Sequence, residues 1–437
     1  MTTDNETTPL QTSRRQFLTL LGAASAVTAM SPRAFAAPAR VPPGGRTNPI
    51  AQYVYVGTYT IGTAPGGSQP TTAVGIYVFK LNPASGYLDF IEVVPCDNPS
   101  FLALDPSKKF LYSVNELGPN GNLPGGQVSA YAIDPGTGKL TLLNQVPSHG
   151  TFPCHVWVYP GGGWLFAANY GGTPQFPGSY ICYPLNSDGS IVPTDTSNSF
   201  RFFQFPGNGT GPDPTRQEVS HGHMMLTDPD VNHVFGVDLG MDMVHVWDFD
   251  PTHGQLTPGT VPYATVAGSA GCRHMTFHPS GKFAYVINEM ASTVDAFEFD
   301  PVRGAFINVQ TISTLPKNTP YTRPSGTAIP SGTSTCSEIR MHPTGYWLYG
   351  ANRGANVITM FAIDQTTGQL SVLGWADPQG KIPRGMNLDP SGTFLYVGNQ
   401  DTNTIALFRI NRNNGKLTGP SLIDSPTPVD FEFGLPA

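Results

Sequence analysis

The stretch DPSKKFLYSVNE (105–116) returns five more times, as YPGGGWLFAANY (159–170), DPDVNHVFGVDL (228–239), HPSGKFAYVINE (278–289), HPTGYWLYGANR (342–353) and DPSGTFLYVGNQ (389–400). Each copy opens on a proline turn, runs through a β-rich segment and reaches Asn or Asp at a fixed distance from the proline. A period of roughly 50 residues made only of strands and turns specifies a propeller, in which each unit covers the apolar face of the next. A second phrase, Asp/Asn-x-x-x-Gly-x-apolar, counts the units independently. It occurs at 82–88, 134–140, 250–256, 300–306, 364–370 and 411–417, with a degenerate NSDGSI at 186–191. That makes seven blades. Each reads as four strands, A before the proline turn, B after it, C before the glycine turn and D after it, with glycine supplying the positive φ of a tight hairpin.

The seventh blade is expected to be divided between the chain ends. YVYVGTY at 53–59 matches strand B, and nothing upstream supplies its strand A. The segment 428–433, PVDFEF, matches PSFLAL at 99–104 and fills that place. Pairing the last strand with the first closes the ring and removes its open edges. The predicted fold is therefore all-β: a seven-bladed β-propeller of four-stranded blades spanning residues 51–437.

Composition agrees. Forty-nine Gly and 43 Pro with only 12% charged residues leave little room for long amphipathic helices, while 25 Phe and 17 Tyr favour strands. A formal net charge of -7 and the lack of a basic stripe argue against nucleic acid. Five cysteines lie far apart with no C-x-x-C, which excludes zinc-ribbon and redox-motif readings. A disulfide and a set of buried apolar thiols both stay open.

The first 36 residues read as an export signal. Ser13-Arg14-Arg15-Gln16-Phe17-Leu18 precedes a modest apolar run and the small-x-small site Ala34-Phe35-Ala36, which resembles a twin-arginine signal peptide. Residues 37–50 then form a linker. The apolar run is too short to span a bilayer, so the expectation is a periplasmic or secreted protein that meets the twin-arginine machinery during export and keeps no stable membrane association.

The tight A–B and C–D turns share one face. The long insertions 117–127, 171–178, 205–220 and 316–336 crowd the other, where function concentrates in rigid scaffolds. Strand A begins and strand B ends there, so equivalent positions ring the channel mouth. Six residues before each turn proline stand Ser100, Cys154, His223, Arg273, Ser337 and Arg384, with Val429 from the divided blade. One residue further in are Phe101, His155, Met224, His274, Glu338 and Gly385. At the B end stand Tyr59, Glu116, Tyr170, Leu239, Glu289, Arg353 and Gln400. Arg273 and Glu289 belong to one hairpin, whose strands lie about 4.8 Å apart. A His and a Glu beside guanidinium groups suit acid/base chemistry and the binding of carboxylate, phosphate or oxyanion charge. A structural network of salt bridges is the alternative.

Other motifs carry less. His278 and His342 precede the turn prolines and read as turn residues, while His155 and His274 face either the channel or the blade interior. Asn115, Asn169, Asn288, Asn352 and Asn399, with Asp238 in the sixth place, repeat too regularly for catalysis and fit hydrogen bonds at the strand ends. There is no G-x-S-x-G and no H-E-x-x-H. The nearest metal set, Glu116, Asp238, Glu289 and Glu338, sits among arginines that repel a cation, so neither metal nor cofactor is expected.

NPSFLALDP, HGHMMLTDPD, RHMTFHPSGKFAYVINE, SEIRMHPTGYWLYGANRG and PRGMNLDPSGTFLYVGNQD together resemble the seven-bladed propeller lactonases, the family of cycloisomerase-type 6-phosphogluconolactonase and carboxy-cis,cis-muconate cyclase. The resemblance covers nearly everything after residue 50. It implies a lactone as substrate or product, and catalytic residues at His223 (or His221), Arg273, Glu289 and Arg353. His221, His155, His274, Glu338, Arg384, Glu116 and Tyr170 are then expected to bind substrate. The expected function is hydrolysis of a small carboxylated or sugar-derived lactone. A lactonising cyclase acting on an unsaturated dicarboxylate and a non-catalytic binding propeller are the alternatives.

Overall fold

The computed structural model describes residues 52–434, apart from 206–208, 210, 318, 325 and 327. The expected signal peptide (1–36) and linker (37–50) lie outside the described residues. Every regular element described is a β-strand, and the 28 strands form seven four-stranded antiparallel sheets.

Blade 1 holds β1 (Tyr53–Thr58), β2 (Gly75–Leu81) and β3 (Leu88–Pro95). Blade 2 holds β4 (Leu102–Leu104), β5 (Phe110–Asn115), β6 (Gln127–Ile133) and β7 (Leu140–Pro147). Blade 3 comprises β8 (Pro153–Val158), β9 (Trp164–Asn169), β10 (Ser179–Pro184) and β11 (Phe202–Gln204), and blade 4 comprises β12 (Gly222–Thr227), β13 (His233–Asp238), β14 (Met243–Asp250) and β15 (Gln255–Thr265). Blade 5 contains β16 (Cys272–Phe277), β17 (Phe283–Asn288), β18 (Thr293–Asp300) and β19 (Ala305–Ser313). Blade 6 contains β20 (Thr335–Met341), β21 (Trp347–Arg353), β22 (Val357–Ile363) and β23 (Leu370–Ala376). Blade 7 is built from β24 (Pro383–Leu388), β25 (Phe394–Asn399), β26 (Thr404–Ile410) and β27 (Leu417–Asp424), and β28 (Pro428–Gly434) returns to blade 1.

The sheet order β28-β1-β2-β3 confirms the expected closure, with Tyr53 opposite Gly434 and Val56 opposite Phe431. Each innermost strand also contacts the innermost strand of the next blade, all the way round from β4 to β28.

The two repeated phrases lock neighbouring blades together. Tyr55, Tyr112, Tyr285, Tyr349 and Tyr396, all on B strands, donate to the carbonyls of Gly138, Gly189, Gly368, Gly415 and Gly86 in the C–D hairpin of the next blade. Each bond contributes about 1 kcal/mol. The hairpin glycines adopt positive φ, 71° at Gly138 and Gly368 for example, and a Cβ there would strike the aromatic ring that begins the preceding B strand, Tyr53 or Phe283. Glycine is thus demanded twice, by backbone conformation and by packing. His278 and His342 take the turn role read from sequence: Nδ1 pairs with Ser280 or Thr344, and Nε2 meets the carbonyl of Gly345 or Gly392 on the next blade. The Asn column is fully buried, and Asn115, Asn169 and Asn399 donate to carbonyls of the D–A connections at Asp97, Ser148 and Pro378.

Two details depart from the sequence reading. In blade 3 the tight C–D turn is not followed at once by strand D: Leu185 and Ile191 close the turn with one isolated bridge, and β11 joins the sheet only at Phe202. Between Ile191 and β11 the chain leaves the ladder of blade 3. The B–C connection of blade 1, residues 59–74, is also long and lies on the looped face, where it joins the four insertions expected there. All five cysteines are free thiols, four of them buried.

Candidate active site

A break in strand pairing creates the rim. Where strand A enters the ring, its register against strand B slips at Pro153/His155, Gly222/Met224, Cys272/His274 and Pro383/Gly385, skipping Cys154, His223, Arg273 and Arg384. The slip at Cys336/Ile339 skips Ser337 and Glu338, and that of β28 skips Val429. A bulged residue is freed from the ladder and its side chain is re-aimed. In five blades the bulge includes the position six residues before the turn proline, and in the divided blade it falls on the matching Val429.

Above this ring lies a cavity of about 330 Å³, at the small end of ligand sites. Its lining includes Glu116, Cys154, Tyr170, His221, His223, Glu289, Arg353 and Arg384, together with Pro65, Gly66 and Phe152 from the loops. Arg273 lies lower. It reaches Glu289 from beneath and lines a deeper void of about 10 Å³ with His274 and Glu338, room for about one water. His155 sits beside that void, its ring 4.2 Å from Phe101 and 5.5 Å from His274. The expected substrate-binding set thus divides into two levels: His221, Tyr170, Arg384 and Glu116 meet the cavity, while His155, His274 and Glu338 fill the channel below.

Glu289 is the electrostatic centre. Its Oε2 accepts from Arg273 Nε at 3.0 Å and is ion-paired with Arg353 Nη2 at 2.8 Å, and its Oε1 accepts from Arg216 Nη2 at 2.6 Å. Burial alone would raise its carboxyl, but Arg353, Arg216 and Arg273 overcome that and hold it well below the usual carboxylate range. With both oxygens occupied, Glu289 organises guanidinium groups. Arg353 is pulled down to about 10 by burial and by the other three arginines, against the pull of Glu289. Its Nη2 also donates to the Cys336 carbonyl, and its Nη1 has no hydrogen-bond partner among the described residues.

His223 is buried beside Tyr170 and His274. Burial, with Arg273 and His274 adding to it, pushes its pKa well below 6.5. The imidazole is therefore neutral at pH 7. Its Nδ1 stands 3.7 Å from the Cys154 sulfur, and its Nε2 has no hydrogen-bond partner among the described residues. The Cys154 thiol is itself pushed up by burial and stays protonated. His221 is engaged differently: it stacks on Tyr170 at 4.3 Å, its Nδ1 is 3.0 Å from the Tyr170 carbonyl and its Nε2 is 3.3 Å from Glu218. Both histidines of the H-x-H segment line the cavity; Glu218 faces Nε2 of His221, and no carboxylate pairs with His223 among the described residues.

Across the cavity, Tyr59 and Ser100 both donate to Glu116 Oε2, at 2.7 and 2.6 Å, and Arg384 Nη2 donates to the Tyr59 hydroxyl at 2.6 Å. Burial raises the Glu116 carboxyl against the opposing pull of Arg384, Ser100 and Tyr59. Arg216 and Glu218 were absent from the residues read from sequence. They belong to the 205–220 insertion, which has no counterpart in other blades, so the repeat alignment gives no position for them.

The chain matches the family described as "Lactonase, 7-bladed beta-propeller" over residues 53–433, and it belongs to that family. It is 32% identical over 343 residues to a 6-phosphogluconolactonase of Bacillus subtilis, covering 78% of this chain and 86% of that one. A 6-phosphogluconolactonase of Formosa agariphila is 30% identical over 340 residues, covering 77% and 86%. Among solved structures, the periplasmic gluconolactonase of Pseudomonas aeruginosa superposes with a TM-score of 0.76 at 26% identity, covering 88% of this chain and 99% of that one.

Proposed function

We propose that the protein hydrolyses a small carboxylated or sugar-derived lactone at the mouth of the propeller channel. The observation that carries this reading is that one small cavity holds a neutral imidazole with an unpartnered Nε2, on His223, and a guanidinium with an unpartnered Nη1, on Arg353. Water attacks the lactone carbonyl while His223 takes its proton. The oxyanion of the tetrahedral intermediate is stabilised by Arg353, which Glu289 and the Cys336 carbonyl hold in place. Collapse breaks the ring C–O bond, and the imidazolium returns the proton to the leaving alkoxide. The names of the relatives and the family membership support the same reaction class.

A panel of lactones followed by pH-stat, with muconates followed by ultraviolet absorbance, tests the reading. Ring opening of a lactone supports it. Cyclisation of muconate without lactone hydrolysis marks a cyclase, and ligand-induced thermal stabilisation without turnover marks a binding propeller.

The pH profile tests the base. Proton abstraction needs neutral His223, and a lowered pKa keeps the imidazole neutral into more acidic solution. The acid limb of kcat/KM is therefore expected below pH 6.5, the ordinary imidazole value. A limb at or above 6.5 would remove His223 from this role. Glu289→Gln is expected to fold with stability reduced by about 3 kcal/mol, because it leaves buried guanidiniums uncompensated. Its rate should fall roughly 100-fold as Arg353 loses its anchor; thermal melts and steady-state kinetics on one preparation check both.

The reading extends to location. The Arg14-Arg15 signal with its Ala34-Phe35-Ala36 site supports export to the periplasm, and the Pseudomonas aeruginosa relative is named periplasmic. Cell fractionation of wild type and of an Arg14→Lys, Arg15→Lys variant tests it, with the variant expected in the cytoplasm.

A further inference from the structure

The 205–220 loop sets the charge of the cavity. Four guanidiniums, Arg216, Arg273, Arg353 and Arg384, stand in or directly beneath it, against four carboxyl groups, Glu116, Glu218, Glu289 and Glu338. Arg216 completes the balance. Without it the acids outnumber the guanidiniums, and Glu289 Oε1 loses its one hydrogen-bond donor among the described residues. A bare carboxylate oxygen lining a small cavity repels an anionic ligand, whereas a guanidinium beside it offsets that repulsion.

Arg216 is buried and fixed from two directions. Its Nη2 reaches Glu289 at 2.6 Å and the Tyr170 hydroxyl at 3.4 Å, and its Nη1 donates to the Gly326 carbonyl at 3.3 Å. Its Nε is buried without a hydrogen-bond partner among the described residues. Gly326 belongs to the other long D–A connection, residues 314–334. The same two loops are joined a second time, by Arg323 Nη2 and Asp213 Oδ2 at 2.7 Å. Within the first loop, Asp213 N donates to Gln217 Oε1, and Gln217 Nε2 donates to the Leu239 carbonyl at the end of blade 4. The loops therefore clasp each other across the rim, with Arg216 hanging from the clasp into the cavity.

We propose that Arg216 is a specificity-determining residue that makes this site select lactones bearing a separate anionic group, carboxylate or phosphate, over neutral ones, and that the Asp213–Arg323 pair positions it. The proposal rests on the lactonase reading above and adds what distinguishes one lactone from another. No repeat position encodes this selectivity; it comes from the insertions.

The experiment compares kcat/KM for neutral glucono-δ-lactone, for a glucaric acid monolactone carrying a carboxylate and for 6-phosphoglucono-δ-lactone, in wild type, Arg216→Gln, Arg216→Lys and Arg323→Gln. The charged-to-neutral ratio is expected to fall tenfold or more in Arg216→Gln, the order expected for losing one charged hydrogen bond. Arg216→Lys should recover most of the ratio, and Arg323→Gln should lose part of it. The phosphate and carboxylate arms show which anion the site prefers. A ratio unchanged in Arg216→Gln, whatever the absolute loss of rate, overturns the proposal, as does a wild type that favours the neutral lactone. Should wild type open none of the three, the lactonase reading fails and binding decides the anion claim separately. Thermal stabilisation by glucarate in wild type that disappears in Arg216→Gln upholds it, and equal or absent stabilisation in both overturns it. Arg216→Gln leaves Glu289 with two arginines, and cooperative melting of that variant is the control for folding.

Discussion

A chain ending at Thr427 should fail to form the ring, and its cooperative melting transition should disappear or fall far below that of the full chain. Such a chain lacks β28, the innermost strand of blade 1, and exposes both β1 and the side of β24. Val429, Phe431 and Phe433 are buried, the two phenylalanines in one cluster with Val54 and Tyr396. Burial of a large apolar side chain contributes about 1.5–3 kcal/mol, so three together approach the whole net stability of an ordinary domain, about 5–15 kcal/mol. Polar closure is lost as well, since Asp430 Oδ2 accepts the backbone N–H of Leu102 in the next blade. Circular dichroism melts of the two chains decide the matter; equal melting temperatures would show that the ring closes some other way.

His223→Asn is expected to lower kcat/KM by about 10²–10⁴, the range attributed to a positioned acid/base group. Asparagine keeps polarity and much of the bulk but cannot accept a proton at pH 7. Folding should survive, because His223 sits in the bulge between Gly222 and Met224 and takes no part in the A–B ladder. Its one ring-nitrogen contact among the described residues is the weak one to Cys154. Steady-state kinetics beside a melting curve separates the two effects, and a rate within tenfold of wild type would remove His223 from the reaction.

The repeat made much of this legible. A fixed count between turn proline and terminal Asn fixes strand length and phase together, so a one-dimensional alignment located the column of Cys154, His223, Arg273 and Arg384. The same logic found the divided blade, because β28 and β1 each carry half of the pattern. Depth was not legible. Arg273 and His223 hold equivalent positions, yet Arg273 reaches sideways to Glu289 and the Ser337 carbonyl while His223 meets the cavity. That difference depends on side-chain length and on the neighbouring blade. Arg216 was out of reach for another reason: its place is set by contacts of a long insertion with Gly326, Tyr170 and Leu239, distant in sequence and without periodicity. The excursion between Ile191 and β11 and the 59–74 loop show the same limit, since insertions escape any rule drawn from what repeats.

The slipped pairing at the start of the inner strands has a consequence for how such a protein changes over generations. A residue inside a ladder answers to its partner strand, its cross-strand neighbour and the alternation of faces, so most replacements there weaken the sheet. Residues skipped by the ladder escape the pairing constraint. Cys154, His223, Arg273, Arg384 and Val429 differ in size, charge and chemistry, yet they occupy one equivalent place in five blades of similar backbone. A lineage can therefore exchange the chemistry at the mouth one blade at a time while the wheel that carries it stays intact.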